Sequence, residues 1–296
     1  MSSPSAAWNP AAGQRAIARI AKSWSQKLFP AAGLIVAHVA PFALFFTGMR
    51  AADWLFFAVL YALVNYAIGL SLHRYFAHRS FRTSRVFQFL LAWLSATFFG
   101  DPIGFTGKHR LHHKYSDQPG DVHSPRQGIW QCWIGSLFDD GREETEIVRM
   151  ARDWTRFPEL RCLHRFYFVP GVTLAAALWS LFGLRAFALY CLAFLVGLHG
   201  PSAVNYFCHL GNNRRFDTGD GSTNRLSLAL LLFGEGWHNN HHRYPLSARS
   251  GFAWYEVDVH YYTIKLLEQL GLVWNVKSYP AWLSAQADAP PRAGGR

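Results

Sequence analysis

The chain has 296 residues, of which 51% are hydrophobic and 16% aromatic, yet its formal net charge is +11. Phe, Trp and Tyr in such numbers suit a bilayer protein, with Trp and Tyr at its interfaces, rather than a nucleic-acid-binding one. Its four cysteines, Cys132, Cys162, Cys191 and Cys208, form no C-x2-C pair, so neither a zinc ribbon nor a disulfide framework is indicated.

Residues 1 to 30 carry Arg15, Arg19, Lys22 and Lys27 and no acid, and lack the apolar core of a signal peptide. They read as an amphipathic cytoplasmic lead-in. Four apolar stretches of nearly membrane-spanning length follow, at about 31–49, 54–72, 167–184 and 186–208. Met49-Arg-Ala-Ala-Asp53 separates the first two, and a turn at Gly183-Leu-Arg185 the last two, so both pairs read as helical hairpins. A fifth stretch, 86–106, is interrupted at Gly100-Asp-Pro-Ile-Gly104 and is expected at the interface or within the cytoplasmic part. Of 29 Lys and Arg, only Arg50 and Arg185 fall in the two short loops, so the other 27 place both termini on the cytoplasmic side. The expected fold is therefore all-α: a polytopic membrane protein with four transmembrane helices in two hairpins and a cytoplasmic helical part. One domain covers 1–286, and the Ala/Pro/Gly/Arg tail 287–296 is expected to be disordered.

Between and after these stretches lie eight histidines in three clusters. His73-Arg-Tyr-Phe-Ala-His78 has the spacing H-x4-H, which turns about 140° on an ideal α-helix, so its rings should straddle a helix end. His109-Arg-Leu-His-His113 and His238-Asn-Asn-His-His242 share the spacing H-x2-H-H. Positions i, i+3 and i+4 lie on one helical face, so each aims three imidazoles one way. Imidazole ligates iron, zinc, copper and nickel, and so many rings imply more than one ion in a histidine-rich dimetal site. One ion cannot draw ligands from both sides of a membrane, so all three clusters belong in the cytoplasmic part. His209, taken alone, reads as an interfacial residue, but Asn205 one turn earlier shares its face and favours a ligand. His38 and His199, inside spans, read as hydrogen-bonding to neighbouring helices, and His123, His164 and His260 as structural. Asp117, Asp121, Glu235 and Asp258 are placed to accept the outer ring N–H of ligand histidines. Glu235-Gly-Trp-His238 is the one E-x2-H match, which does not fit the paired motif of soluble carboxylate di-iron bundles.

The strings Leu72-His-Arg-Tyr-Phe-Ala-His-Arg-Ser80, His109-Arg-Leu-His-His-Lys-Tyr-Ser-Asp117 and Gly234-Glu-Gly-Trp-His-Asn-Asn-His-His242 resemble the membrane-bound fatty acid desaturases, within them the stearoyl-CoA (Δ9) group. The resemblance runs from about 68 to 275. It implies two iron ions held by His73, His78, His109, His112, His113, His238, His241, His242 and a ninth ligand, His209, with Asn205 reaching one ion through water. Zinc could occupy the same ligands in an overproduced sample, because the affinity order does not favour iron. The implied reaction is O2-dependent insertion of a cis double bond into a saturated fatty acyl chain. No side chain can oxidise an unactivated methylene pair, so metal and O2 supply that step while the protein binds and orients.

The sequence shows no haem domain, no nicotinamide or flavin fingerprint and no iron–sulfur cysteine spacing. Electrons must then come from a separate ferredoxin, rubredoxin or cytochrome b5-type protein, and the basic stretch Arg142 to Arg165 is one docking face to consider. Phe105, Lys108 and Trp237 are the expected substrate contacts, and Trp93, Trp130 and Trp133 further tunnel residues. Where the animal enzymes carry Trp-Ala-Arg-Asp before the second box, this chain has Phe105-Thr-Gly-Lys108, which leaves CoA, a carrier protein or a membrane phospholipid open as acyl carrier. Two rival readings are a related histidine-box lipid hydroxylase and a membrane metal transporter; the latter would put ligands near the midplane of its spans.

Overall fold

The computed structural model describes residues 30–138 and 141–280; the basic lead-in and the tail from Ala287 lie outside them. Its main helices are α1 (Pro30–Val39), α2 (Ala51–Asn65), α3 (Arg85–Phe98), α4 (Pro102–Tyr115), α5 (Glu144–Met150), α6 (Pro158–Arg165), α7 (Val169–Phe207), α8 (Leu226–Leu231), α9 (His238–Arg243) and α10 (Val259–Gln269). Strand is confined, among the described residues, to an antiparallel pair that matches Arg82 with Trp274 and Thr83 with Val273.

α1 tightens into a 3-10 turn at Ala40–Phe42, resumes over Ala43–Thr47 and stops at Gly48, whose φ of +67° suits a residue without Cβ. Asp53 accepts the backbone N–H of Arg50 at 2.8 Å and so starts α2. α2 runs without a break into a π-helix, Tyr66–Ala77, that carries the first histidine box. At Gly100-Asp101-Pro102 the chain bends by 82° between α3 and α4. Asp101 caps the new helix by accepting from Gly104 N at 2.8 Å, and Pro102 sits in its first turn, where no N–H is needed.

α7 is two helices joined at Gly183, whose φ is +75° and ψ −170°. The chain reverses there: Tyr190 Oη donates to Gly171 O at 3.3 Å, and the Trp179 and Phe187 rings lie 5.1 Å apart. In a straight helix Gly171 and Tyr190 would be about 28 Å apart. The turn of this hairpin meets the α1–α2 turn, because Arg185 pairs with Asp53 at 3.4 Å and donates to Thr47 O at 2.8 Å. Leu60, Val64, Ala67, Phe98, Leu189 and Ala193 fill the space between the hairpins.

By length and composition, Ala51–Ala77 and Val169–Phe207 are long and apolar enough to cross a membrane, and the bent α3–α4 pair would make a third. Four separate spans are not obtained this way, for two physical reasons. The reversal at Gly183 divides Val169–Phe207 into two shorter arms, and the first apolar helix, Gly33–Thr47, is itself short. Around the turn end, Phe45, Phe46, Leu55, Leu181 and Phe182 are exposed apolar side chains, as lipid-facing residues are. A second core, of Phe76, Phe81, Leu91, Trp154, Leu160 and Ile264, lies beneath the histidine boxes.

Candidate metal centre

The histidines sit where local geometry turns them to a common point. In the π-helix the hydrogen bond runs from residue i to i+5, as from His78 N to His73 O at 3.1 Å. One extra residue per turn reduces the 140° expected on an α-helix, and the two rings come within 4.9 Å. His78 is the C-cap, so the pair does straddle the helix end. α4 presents His109, His112 and His113, and the short α9 presents His238, His241 and His242. His209 follows the end of α7.

Together they form two adjoining groups. Ring nitrogens of His73, His78, His109, His113 and His241 all lie within 4.8 Å of one another, as do those of His112, His209, His238 and His242. Facing Nε2 atoms approach to 3.0 Å for His73–His241, 2.8 Å for His78–His109 and 3.0 Å for His209–His238. The groups touch where the His113 and His242 rings stack at 4.5 Å.

Carboxylates set the tautomers. An ionised carboxylate only accepts, so His112 Nδ1–H donates to Asp121 (2.9 Å), His209 Nδ1–H to Asp117 (2.8 Å) and His242 Nδ1–H to Asp220 (2.7 Å). His73 Nδ1 pairs with Glu235. Each Nε2 lone pair is then left pointing inward, and the buried Nε2 atoms of His112 and His242 have no hydrogen-bond partner among the described residues. Orphaned, inward-facing imidazole nitrogens are what a transition-metal ion would satisfy, so the donor set fits a metal.

Electrostatics agree. Burial, then the neighbouring imidazoles, holds His113, His238, His241 and His242 well below the ordinary histidine range, so these rings are neutral and free to ligate at pH 7. Burial alone would raise the carboxyls of Asp121 and Glu235. Their partners His112 and His73, with Arg74 beside Glu235, outweigh it and hold both below the usual carboxylate range.

The centre opens on one side to a cavity of about 950 Å³. His73, His109, His238 and Glu235 line it at the centre, and Val64, Ile68, Phe187, Phe194 and Val204 are among its apolar walls. Phe105, Lys108 and Asn205 lie on the wall as well, with Lys108 Nζ donating to Ser136 O at 3.1 Å. Trp237 does not; it is buried, and its indole N–H donates to Val257 O at 2.8 Å. Trp93, Trp130 and Trp133 are also off the wall. Trp93 faces a separate groove with Phe56 and Leu60, Trp130 is exposed, and Trp133 Nε1–H donates to His199 Nδ1 at 3.0 Å.

The remaining histidines take separate places. His38 and His199 meet across helices at 3.1 Å between Nε2 atoms, as expected of hydrogen-bonding residues. His164 donates to Asp101 at 2.6 Å, and His260 is buried where a Cβ on Gly69 would strike its ring. His123 packs on His112 with ring centroids 4.5 Å apart and reaches the cavity wall. Among the carboxylates, Asp258 does not touch a ligand histidine. It binds Arg74 at 2.7 Å, accepts from Ser250 N and caps α10 through Tyr261 N. Asp220 does this work for His242, and no local spacing points to it from 22 positions away.

A fatty acid desaturase model matches residues 52–275. The chain is 40% identical over 235 residues to an acyl-CoA C20 Delta5-desaturase of Anemone leveillei, covering 76% of this chain and 73% of the relative. It is 37% identical over 214 residues to an sn-1 stearoyl-lipid 9-desaturase of Anabaena variabilis, covering 71% and 78%. It is 32% identical over 248 residues to the Delta-9 acyl-lipid desaturase 1 of Arabidopsis thaliana, covering 81% and 78%. With its histidine groups and apolar helices, the chain belongs to the fatty acid desaturase family and is an oxidoreductase of that kind.

Proposed function

We propose that this protein inserts a cis double bond, at the Δ9 position, into a saturated fatty acyl chain carried on CoA or a membrane lipid. The observation that carries the reading is the pair of histidine groups opening onto a largely apolar cavity. Each group would hold one iron ion. His73, His78, His109, His113 and His241 serve one. His112, His209, His238 and His242 serve the other, with Asn205 completing that shell through a water. The bound ions, with O2 and electrons from a separate redox protein, would supply the oxidising power.

The chain's own residues do the rest. Asp117, Asp121, Asp220 and Glu235 hold ligand rings in the Nδ1–H tautomer. The apolar wall takes the alkyl chain and excludes water, and Phe105, stacked on His109 at 5.5 Å, presents a flat apolar surface beside the centre. Lys108 stands on the same wall as a polar group for the carrier end. Four spans in two hairpins, with the centre and both termini on the cytoplasmic side, accommodate this arrangement and agree with the meeting of the two turns through Arg185.

Double-bond-resolved mass spectrometry of lipids from cells expressing the protein tests this, with His241→Ala as control and acyl-CoA and phospholipid pools separated. A new cis-Δ9 monoene with wild type alone is expected. A Δ5 product would correct the position, hydroxylated chains would move the protein to hydroxylation, and no lipid change beside an active donor would overturn the reading.

A further inference from the structure

We propose that a small acidic electron-carrier protein docks on the side of the centre that faces away from the cavity, against Arg79, Lys114 and Arg243. The inference rests on the desaturase reading, which requires an outside source of electrons. Each turnover oxidises two carrier molecules by one electron each. It takes two protons from the medium and two hydrogens from the acyl chain, and reduces O2 to two waters.

The centre has two unlike sides. His73, His109 and His238 line the cavity, whereas His78, His113 and His242 do not. His113 and His242 are also the members of their groups that are only partly buried. The His242 ring itself is 1% exposed, so it is the backbone there that reaches the surface. Their rings stack at 4.5 Å where the two groups adjoin. An electron arriving at this point stands next to both groups at once.

Charge marks the same face. Each histidine box ends in a cation at its next residue: His78-Arg79, His113-Lys114 and His242-Arg243. Arg79 is 45% exposed and shares Asp153 with Arg110. Lys114 and Arg243 are exposed, lie over the rings of Tyr115 and Tyr244, and have no ion-pair partner among the described residues. Cations set beside two bound metal ions raise the local potential, and carboxylates of a partner relieve it. Such complementarity steers encounter and fixes orientation, and it fades as salt rises. The basic stretch Arg142 to Arg165 borders this face, for Arg142 lies over the same Tyr115 ring as Lys114 and Arg79 pairs with Asp153. None of its arginines adjoins a ligand histidine in sequence, however, and Arg142 is held by Glu146 at 3.2 Å.

The test is binding of an oxidised plant-type [2Fe–2S] ferredoxin to the purified full-length chain in nanodiscs, measured by thermophoresis at low and high salt. The double variant Lys114→Glu/Arg243→Glu should weaken binding about tenfold or more and remove most of its salt dependence. Bound metal and melting temperature should match wild type. Lys114→Gln/Arg243→Gln should fall between, and Arg152→Glu/Arg156→Glu, at the border of the face, should weaken binding far less than Lys114→Glu/Arg243→Glu. Unchanged binding in the first double variant, loss in the Arg152/Arg156 variant instead, or no binding by wild type overturns the proposal. The lipid assay separates the two readings. A wild type that binds ferredoxin in this salt-dependent way but makes no monoene sinks desaturation and leaves the docking face. A double variant that keeps full affinity and makes product sinks the docking face alone.

Discussion

Asp117 and His209 stand 92 positions apart in the chain, and the carboxylate of one holds the ring nitrogen of the other at 2.8 Å. Asp117 reaches it from a left-handed backbone conformation, φ +58°, steadied by Ser124 Oγ at 2.9 Å and Gly221 N at 2.6 Å. Loss of such an outer partner typically lowers metal affinity about 10- to 100-fold. Asp117→Ala is therefore expected to lose that much affinity in a metal titration. Asp117→Asn, whose amide oxygen still accepts, should lose less. Equal affinities in all three would remove Asp117 from the support of the centre.

Arg74 is fully buried between two acids, 2.7 Å from Asp258 and 3.2 Å from Glu235, and also donates to Ala248 O at 2.7 Å. Taking away the cation leaves buried carboxylates without compensation, which costs about 3–5 kcal/mol. Arg74→Met should melt well below wild type in a fluorescence-detected size-exclusion assay. Adding Asp258→Asn should cost less than the two single changes summed, since they share one network. Strict additivity would contradict the coupling.

Gly107 packs α4 tightly on α5, where an added Cβ would lie 2.2 Å from Ile147 O. Backbone cannot step aside as a side-chain tip can, so α4 must move with its three histidines. Gly107→Ala is expected to destabilise by about 1–3 kcal/mol and to lower bound metal. Gly100→Ala, with nothing within 4 Å, should do neither. Metal content read by plasma mass spectrometry, with melting curves, decides it.

Protons should unsettle the metal-free protein in mild acid. The depressed histidines, among them His238, His241 and His242, stay neutral when folded, whereas in the unfolded chain they titrate near 6.5. As pH falls below that value the unfolded state binds more protons, so stability falls. Each such histidine contributes up to about 1.4 kcal/mol per pH unit. The depressed carboxyls of Asp121 and Glu235 add a loss only below their unfolded range, near pH 4. Melting temperatures of chelator-treated protein should drop from pH 7 to pH 5, and a flat profile would refute the account.

Spacing alone makes the H-x2-H-H boxes readable, because i, i+3 and i+4 fix a helical face whatever packs around it. The H-x4-H box is less so: its rings converge through a π-helix, which has no spacing signature. Asp117 and Asp121 fall within a few residues of their box and can be picked out, whereas Asp220 is brought to His242 by a loop and cannot. Asp258 looks equivalent in sequence, but the buried Arg74 claims it. The same limit applies to Trp237, whose position inside a box says nothing of the side its indole faces. Apolar length locates the helices, while Gly183, a single residue with positive φ, decides whether one of them is a rod or a hairpin.

The two histidine groups draw on four separated parts of the chain, and both need the last box: His241 for one, His238 and His242 for the other. During synthesis neither group is complete until the last box has left the ribosome, after each helix long and apolar enough to cross a membrane has been made. Any loading of metal at these groups is thus a late event in the life of the polypeptide. Any halt upstream of α9 leaves a membrane-inserted chain with no complete metal shell.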